Sequence, residues 1–519
     1  MRSTFHSIET ARRSLVTQQV ALQTTGHNVA NANTAGYSRQ RVNMTASIPL
    51  EAMGMQRSMT PGQLGTGVEF SSIMRIRESF LDAQYRNESQ SNGSWSIQLD
   101  SLQKLETIIN EPSDTGIRSI LDKFWNSWQD LSENPESITA RKLVRETAIA
   151  LTDAFNQAGN QLDALTADLT ENINVKVTQM NTLSSTITSL NAQIRRTEAF
   201  GDNANDLRDQ RDLLVDQLSK IANISVQETS NGYQIRMGSQ VLVDGDNQTD
   251  VTVSGLEGSF GGDLTGGEVY GMIRSRDHFV ADYKNQLNTL INGIAYGEIE
   301  ITLPAGAVLP EGTTLNGVTY NDPNRTLTSN LTVTVKGLNG LHQLGYTNQN
   351  PLQSGGDFFT SSNGGPLTLN NIKVSNEILA DANNIGSSMR THMDGTTEKS
   401  VVGNKDLAML IAQMNNTKIN FASVSSTTST SLGTANDFFR SFVGQLGVQT
   451  EEAQRQANNS DIVVGQIDSR RQSVSGVSLD EEMADMIKFQ HAYNAAARFM
   501  TAIDETLDKI INGMGVVGR

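Results

Sequence analysis

Few residues in this chain are typed and spaced for chemistry. The stretch TTGHNVANANTAGYSRQ at residues 24–40 gathers Asn28, Asn31, Asn33, His27, Tyr37 and Arg39, a mixture able to line a ligand pocket. The six histidines stand at 6, 27, 278, 342, 392 and 491, and none falls in HExxH or another ligand spacing. His27 and His491 form the one conceivable pair, and a structural histidine is the default reading of each. Asp244-Gly-Asp246-Asn-Gln-Thr-Asp250 opens like a calcium loop, but Thr249 stands where the loop needs glycine and Gly255 where it needs glutamate. It reads as a polar turn. Gly62-Gln-Leu-Gly65-Thr-Gly67 is not a dinucleotide fingerprint and reads as a β-turn. There is no GxSxG, no P-loop and no Ser/His/Asp array. Glu481 and Glu482 belong to a helix first turn, where carboxylates favour the dipole. The expectation is a protein that is not an enzyme, with no cofactor and no metal.

Composition narrows the class. The 519 residues suggest three or four domains by length alone. The net charge of −16 argues against a phosphate-binding surface, so no nucleic-acid partner is expected. The absence of cysteine removes disulfides, thiolate metal sites and cysteine nucleophiles. No apolar run is long enough for a membrane span. The opening MRSTFHSIETARRSLVTQQV lacks the apolar core of a cleaved signal peptide, so export would need another route.

The elements that must position these residues lie mostly at the two ends. Met1, Ile8, Leu15, Leu22 and Val29 recur every seven residues. At the other end Leu479, Met486, Tyr493, Met500, Leu507 and Met514 form one such series, and Phe489, Ala496, Ile503, Ile510 and Val517 form a second. Two offset series are the seam of a coiled coil. Ser478 and Glu481 have capping-box spacing before it. Residues 1–41 carry five arginines against Glu9, a net +4, and residues 479–519 carry a net −3. The signs favour pairing the first helix with the last. Two isolated helices bury little apolar surface, so packing against neighbouring chains is expected to complete them.

Between the ends, Phe155 begins an apolar series of three- and four-residue steps through Leu162, Ile173, Met180 and Ile187 to Ile194. That helix would span ~60 Å. Another starts at Asn205 and a third covers 276–296. From about residue 225 alternation takes over: Tyr233, Ile235 and Met237, a Gly238-Ser239 turn, then Val241 and Val243, a hairpin pattern. Residues 298–340 read as a small β insertion, and 351–380 are rich in Gly, Asn and Ser. The fold class is therefore α+β and multidomain: elongated, with discontinuous nested domains, terminal coiled-coil helices, a long helical-bundle domain and β-rich outer domains. The expected domains are 1–60 with 471–519 (terminal helices), 61–224 with 265–297 and 401–470 (helical rod), 225–264 with 341–400 (β-rich), and 298–340 (insertion).

GHNVANANTAGYSRQRV after an amphipathic helix resembles the bacterial flagellar axial proteins. Asn28-Val-Ala-Asn31 is similar to the wider rod and hook group. Asn33-Thr-Ala-Gly36-Tyr37-Ser38-Arg39-Gln40 is similar to the hook-associated protein 1 family, with Ala35 where many relatives carry proline. NDLRDQRDLLVDQL, NGYQIRMGSQVLVDG, GGDFF and GVSLDEEMADMIKFQHAYNAAARFMTAIDETLDKIING add to the likeness. The resemblance implies a structural role at the hook–filament junction, outside the cell. It implies a helical ring or array of copies of the chain, hook protein and hook-associated protein 3 as neighbours, an export chaperone on the C-terminal helix, and passage through the flagellar type III export apparatus without cleavage. On this reading the terminal seams carry assembly. Asn28, Asn31, Asn33, Gly36, Tyr37 and Arg39 form the joint where the first helix stops and the chain enters the body of the subunit. Two rivals are another flagellar axial protein and a secreted hydrolase carried on flagellar helices, with its site in 298–380.

Overall fold

The computed structural model describes residues 5–49, 65–110, 113, 116–425 and 432–513. Met1, Met514 and Val517 of the seven-residue series lie outside the described residues, as do residues 62–64 of the first glycine-rich turn. The chain forms two compact units. The first comprises residues 1–95, 174–270 and 456–519, and the second 96–173 and 271–455.

In the first unit, helix α1 (Phe5–Ala30) packs along the C-terminal helix (Leu479–Gly513) and against an antiparallel pair, β1 (Gln40–Ala46) and β2 (Val68–Arg75). The register runs from Gln40 opposite Arg75 to Ala46 opposite Val68, with a bulge at Asn43/Met44. Helix α2 (Ser79–Ile109) contributes its first turns. Helix α5 (Asn205–Ile221) leads into a meander of β3 (Ser225–Thr229), β4 (Gly232–Met237), β5 (Gln240–Asp244) and β6 (Asn247–Gln248). Tyr233, Ile235 and Met237 are buried, as the alternation requires. Asn191 fastens the meander to the long helix: its side chain accepts from the Tyr233 amide at 3.1 Å and donates to the Gly245 carbonyl at 2.9 Å. Gly232, at φ 114°, leaves room for that side chain, since a Cβ there would stand 2.8 Å from Asn191. The calcium-like segment is the turn from β5 to β6, and Asp246 pairs with Arg195.

The second unit contains helix α3 (Ile117–Glu133), which buries Ile117, Leu121, Phe124, Trp128 and Leu131 in three- and four-residue steps, with Trp125 beside them. Phe124 and Trp128 meet Phe358 at centroid distances of 6.0 and 5.5 Å. His342 lies edge-on to the same ring at 5.7 Å. Its Nδ1 hydrogen bonds to the Gly356 carbonyl at 2.6 Å, and its Nε2 accepts from the Gly386 amide at 2.9 Å. Burial lowers its pKa to about 4, so it is a neutral core histidine. Arg141 is buried against the Ile385 and Pro135 carbonyls and Ser387 Oγ, and burial lowers its pKa to about 10.

Helix α4 (Ile138–Glu198) supplies residues to both units. Every member of its apolar series from Phe155 to Ile194 is buried. The helix also begins earlier than the series, at Ile138.

Three expectations change. The third helix is interrupted: an α-helix over Gly267–Arg274, a π-helical turn over Ser275–Val280, and an α-helix over Ala281–Tyr296. Residues 298–340 are no free-standing insertion. Strands Glu298–Leu303 and Leu331–Lys336 pair, and Ile419–Asn420 and Leu432–Gly433 extend their sheet to four strands. The division of the chain also differs, because 225–264 joins the unit of the terminal helices while 341–400 joins the other. Local composition shows that a segment is β-rich but not which core its apolar face completes. Trp128→Ala should remove about 3–5 kcal/mol from the second unit. Urea unfolding followed by fluorescence and by a probe in the first unit should show that loss in one transition.

Candidate functional site

The terminal seam residues sit on the two paired helices. On α1, Ile8, Leu15, Leu22 and Val29 are half-buried. The deepest positions are instead Ala11, Thr17, Ala21, Thr24, Thr25 and Asn28. The reason is that α1 packs on two sides. Thr10 lies against Gly67, and Thr17 Oγ1 donates to the Val68 carbonyl at 3.4 Å, so this polar stripe faces the β1–β2 pair. Thr10, Thr17 and Thr24 are themselves seven apart, a pattern visible in the sequence and passed over because threonine is not apolar. On the C-terminal helix Ala496 is buried, while Met486, Phe489, Tyr493, Met500, Ile503 and Leu507 are half-buried and Leu479 and Ile510 are exposed. Beyond this seam Met483 and Ile487 are each 56% exposed, and Phe499 49%. Phe5 and Val16 of α1 are exposed too.

The joint is built around Asn28. Its side chain is buried and uses its full bonding capacity. Nδ2 donates to the Gln40 carbonyl at 2.9 Å and to Glu482 Oε2 at 3.0 Å. Oδ1 accepts from the Gln40 amide at 3.0 Å and from the Tyr37 hydroxyl at 2.8 Å. Burial, with Asp206, Asp209 and Glu482 nearby, pushes the Tyr37 pKa up and keeps the hydroxyl protonated as a donor. His27 Nδ1 lies 3.0 Å from the Tyr37 oxygen, so His27 serves the joint and does not pair with His491. Asn31 Nδ2 donates to the His27 carbonyl at 3.1 Å, satisfying an end carbonyl of α1, and Asn33 is exposed. Gly36 takes φ 80° and turns the chain over Leu213, where a Cβ would stand 3.0 Å from the Leu213 Cβ.

Arg39 ties the joint to the last helix. Its Nε donates to Glu482 Oε1 and its Nη1 to Glu481 Oε2, both at 2.6 Å. Its amide donates to the Ser475 carbonyl at 2.8 Å. The expected capping box is therefore only half formed. The Glu481 amide reaches Ser478 Oγ at 3.5 Å, while the Glu481 carboxylate is held by Arg39. The Ala32–Arg39 turn and the Arg471–Ser478 connection line a groove of about 600 Å³.

Sequence reasoning missed a buried charge network behind the joint. Asp209, Asp212 and Asp216 of α5 are spaced to share one face of a helix. Arg75 reaches Asp209 at 2.9 Å and Asp212 at 2.6 Å. Arg86 reaches Asp216 at 2.7 Å, and Arg471 reaches it at 2.6 Å. Arg77 forks onto Asp82, and Tyr233 donates to Asp212 at 2.8 Å. Asp209 also accepts from the Ser38 amide at 2.7 Å, joining network to joint. Burial opposes ionisation of Asp212, but Arg77, Arg75 and Arg86 outweigh it and hold that carboxyl well below the usual range. At Asp209 burial wins and pushes the carboxyl up. The available signal was the aspartate spacing in NDLRDQRDLLVDQL, which reads locally as a solvated face.

Asn28→Ala should cost the first unit about 2–3 kcal/mol in urea unfolding, because buried groups at Gln40 and Glu482 lose their partner. The acid response follows from Asp212. Its pKa is depressed on folding, so its contribution is complete above the ordinary carboxylate range near ~4 and is lost as pH falls below it. Asp209 works in the opposite sense. Urea midpoints between pH 7 and 3 should fall steeply at the acid end, and less steeply in Asp212→Asn.

Comparison with known proteins shows the family. Residues 102–298 match the family described as the flagellar hook-associated protein FlgK helical domain. Residues 8–37 match the flagella basal body rod protein family, and 469–513 the flagellar basal body rod FlgEFG protein C-terminal family. Flagellar hook-associated protein 1 of Bacillus subtilis (strain 168) is 34% identical over 537 aligned positions, covering 100% of both chains. The protein of the same name from Salmonella typhimurium is 23% identical, covering 97% of this chain and 99% of its own. The fold is similar to that of the flagellar hook junction protein FlgK from Burkholderia pseudomallei, with a TM-score of 0.51 at 15% identity, covering 76% of this chain and 100% of that one. With a helix pair formed by its two ends, a polar joint at residues 28–39 and full-length similarity to the Bacillus protein, the chain belongs to the flagellar hook-associated protein 1 family.

Proposed function

We propose that this protein is a non-enzymatic structural subunit of the flagellum, set between hook and filament, whose paired terminal helices pack against those of neighbouring copies. One observation carries the packing. The two helices cover each other's seam only in part, and Met483, Ile487 and Phe499 remain largely open on its flanks. Apolar positions left open along a half-covered seam favour a further helix from another chain. A repeated contact of this kind, related by rotation and rise, generates an open helical array.

The joint at Asn28, Tyr37 and Arg39 would then transmit force and angle between the packed helices and the body of the subunit. Its neighbours would be hook protein on one side and hook-associated protein 3 on the other. Before assembly, an export chaperone would cover the C-terminal helix, and the chain would leave the cell through the flagellar type III export apparatus.

Replacing Met500 and Leu507 together by Asp tests the reading. Both are half-buried seam positions on the last helix. The double variant should be exported and keep the unfolding transition of its second unit, but electron microscopy should show hooks without filaments. Filaments of normal number and length on that strain would overturn the assembly role of the seam.

A further inference from the structure

The end of α4, the start of α5 and the β3–β4 turn enclose a cleft of about 270 Å³ within the first unit. None of its lining residues belongs to the seam or the joint. Arg195, Arg208 and Arg211 line it, together with Glu198 and Glu228. The first two arginines are well supplied with partners. Arg195 pairs with Asp246. Arg208 holds Glu198 through bonds of 2.6 and 2.8 Å and donates to Glu228 Oε1 at 2.9 Å.

Arg211 is placed differently. Its side chain is only 1% exposed, and its guanidinium carbon lies 3.4 Å from the centre of the Tyr233 ring. Nη1 donates to Asn191 Oδ1 at 3.0 Å. Nε and Nη2 have no hydrogen-bond partner among the described residues. These two groups share one edge of the guanidinium, the edge that grips a carboxylate through two parallel bonds. Glu228 Oε1 stands 3.8 Å from Nη2, beyond hydrogen-bond reach. Burial works against the charge and lowers the Arg211 pKa. A buried cation whose donors go unused is costly until an acceptor completes it.

We propose that this cleft binds a small monocarboxylate, held through two bonds by Nε and Nη2 of Arg211. The class follows from the fork, since a planar oxyanion presents two oxygens at the matching spacing. Glu198 and Glu228 at the same cleft repel a second negative charge, which disfavours a phosphate. Glu228 competes for the fork and covers it. Its side chain is 56% exposed, and an exposed ion pair such as Arg208–Glu228 costs little to open. Its carboxylate turns outward as the ligand enters, while Arg208 keeps Glu198. The bound ligand then ties α5 more firmly to the β3–β4 turn.

Acetate is the probe. Thermal unfolding of the full-length chain is followed while sodium acetate replaces sodium chloride at constant ionic strength. A ligand that binds only the folded chain raises the midpoint in proportion to its occupancy. The midpoint should rise with acetate and level off, and sodium phosphate should give no such saturating rise. Glu228→Gln alters an exposed position and removes the competing carboxylate, so it should reach half effect at several-fold lower acetate. Arg211→Gln should abolish the response. No saturating rise in the natural chain overturns the proposal, as does a Glu228→Gln chain that responds no more tightly. An Arg211→Gln chain that responds like the natural one also overturns it. A saturating response to phosphate that depends on Arg211 overturns the assignment to monocarboxylates. If Arg211→Gln does not fold, the Glu228→Gln comparison decides.

Discussion

Glu482 is an acidic side chain only 2% exposed at the start of the last helix. It is tolerable there because Arg39 and Asn28 bring a charge and a donor to it. A carboxylate buried without such partners costs several kcal/mol. This contact joins the two terminal helices of the first unit. It brings the end of α1 to the beginning of the C-terminal helix, sets which faces of the two helices meet, and thereby decides which apolar side chains are covered and which are left open.

Behind that contact the first unit is fastened by charge to an unusual degree. Arg75, Arg77, Arg86 and Arg471 converge on Asp82, Asp209, Asp212 and Asp216, and the participating elements come from well-separated parts of the chain. Networks of this kind add little net stability over an apolar core of the same shape, but a wrong register leaves charges stranded. Apolar seams alone tolerate sliding by a turn. The arginine–aspartate lattice does not, and it holds the elements it joins in a single register. The second unit follows the other strategy. Its centre is the cluster of Phe124, Trp128 and Phe358, and the polar groups admitted there, His342 and Arg141, are bonded to backbone carbonyls or amides.

Much of this was legible in the residues themselves. The apolar series from Phe155 to Ile194 reports its own helix because every step follows the helical period. The Gly238-Ser239 hairpin reports itself by alternation around a turn. The end of α1 near Asn31 and the reversal at Gly36 follow from residue types that suit a helix end and positive φ. What stayed hidden depends on distance along the chain. Thr17 looks solvent-facing until β2 is laid against it. Asp212 looks like surface charge until three arginines arrive from elsewhere. Strand 298–303 looks like an insertion until residues 419–420 join its edge. Period and composition describe a segment, and they say nothing about which remote segment will satisfy it.

The bond between Asn28 and Glu482 joins residues 454 positions apart in the chain. Closing a loop of that length costs roughly 5 kcal/mol of chain entropy before any contact is gained. A unit knotted at so late a point cannot be finished early, whichever end of the chain becomes free to fold first. Residues 96–173 and 271–455 hold all of the second unit and are complete in the chain before Glu482 is reached. The joint is therefore also a clock: the helix pair of the first unit is fastened only once the segment carrying Glu482 has arrived.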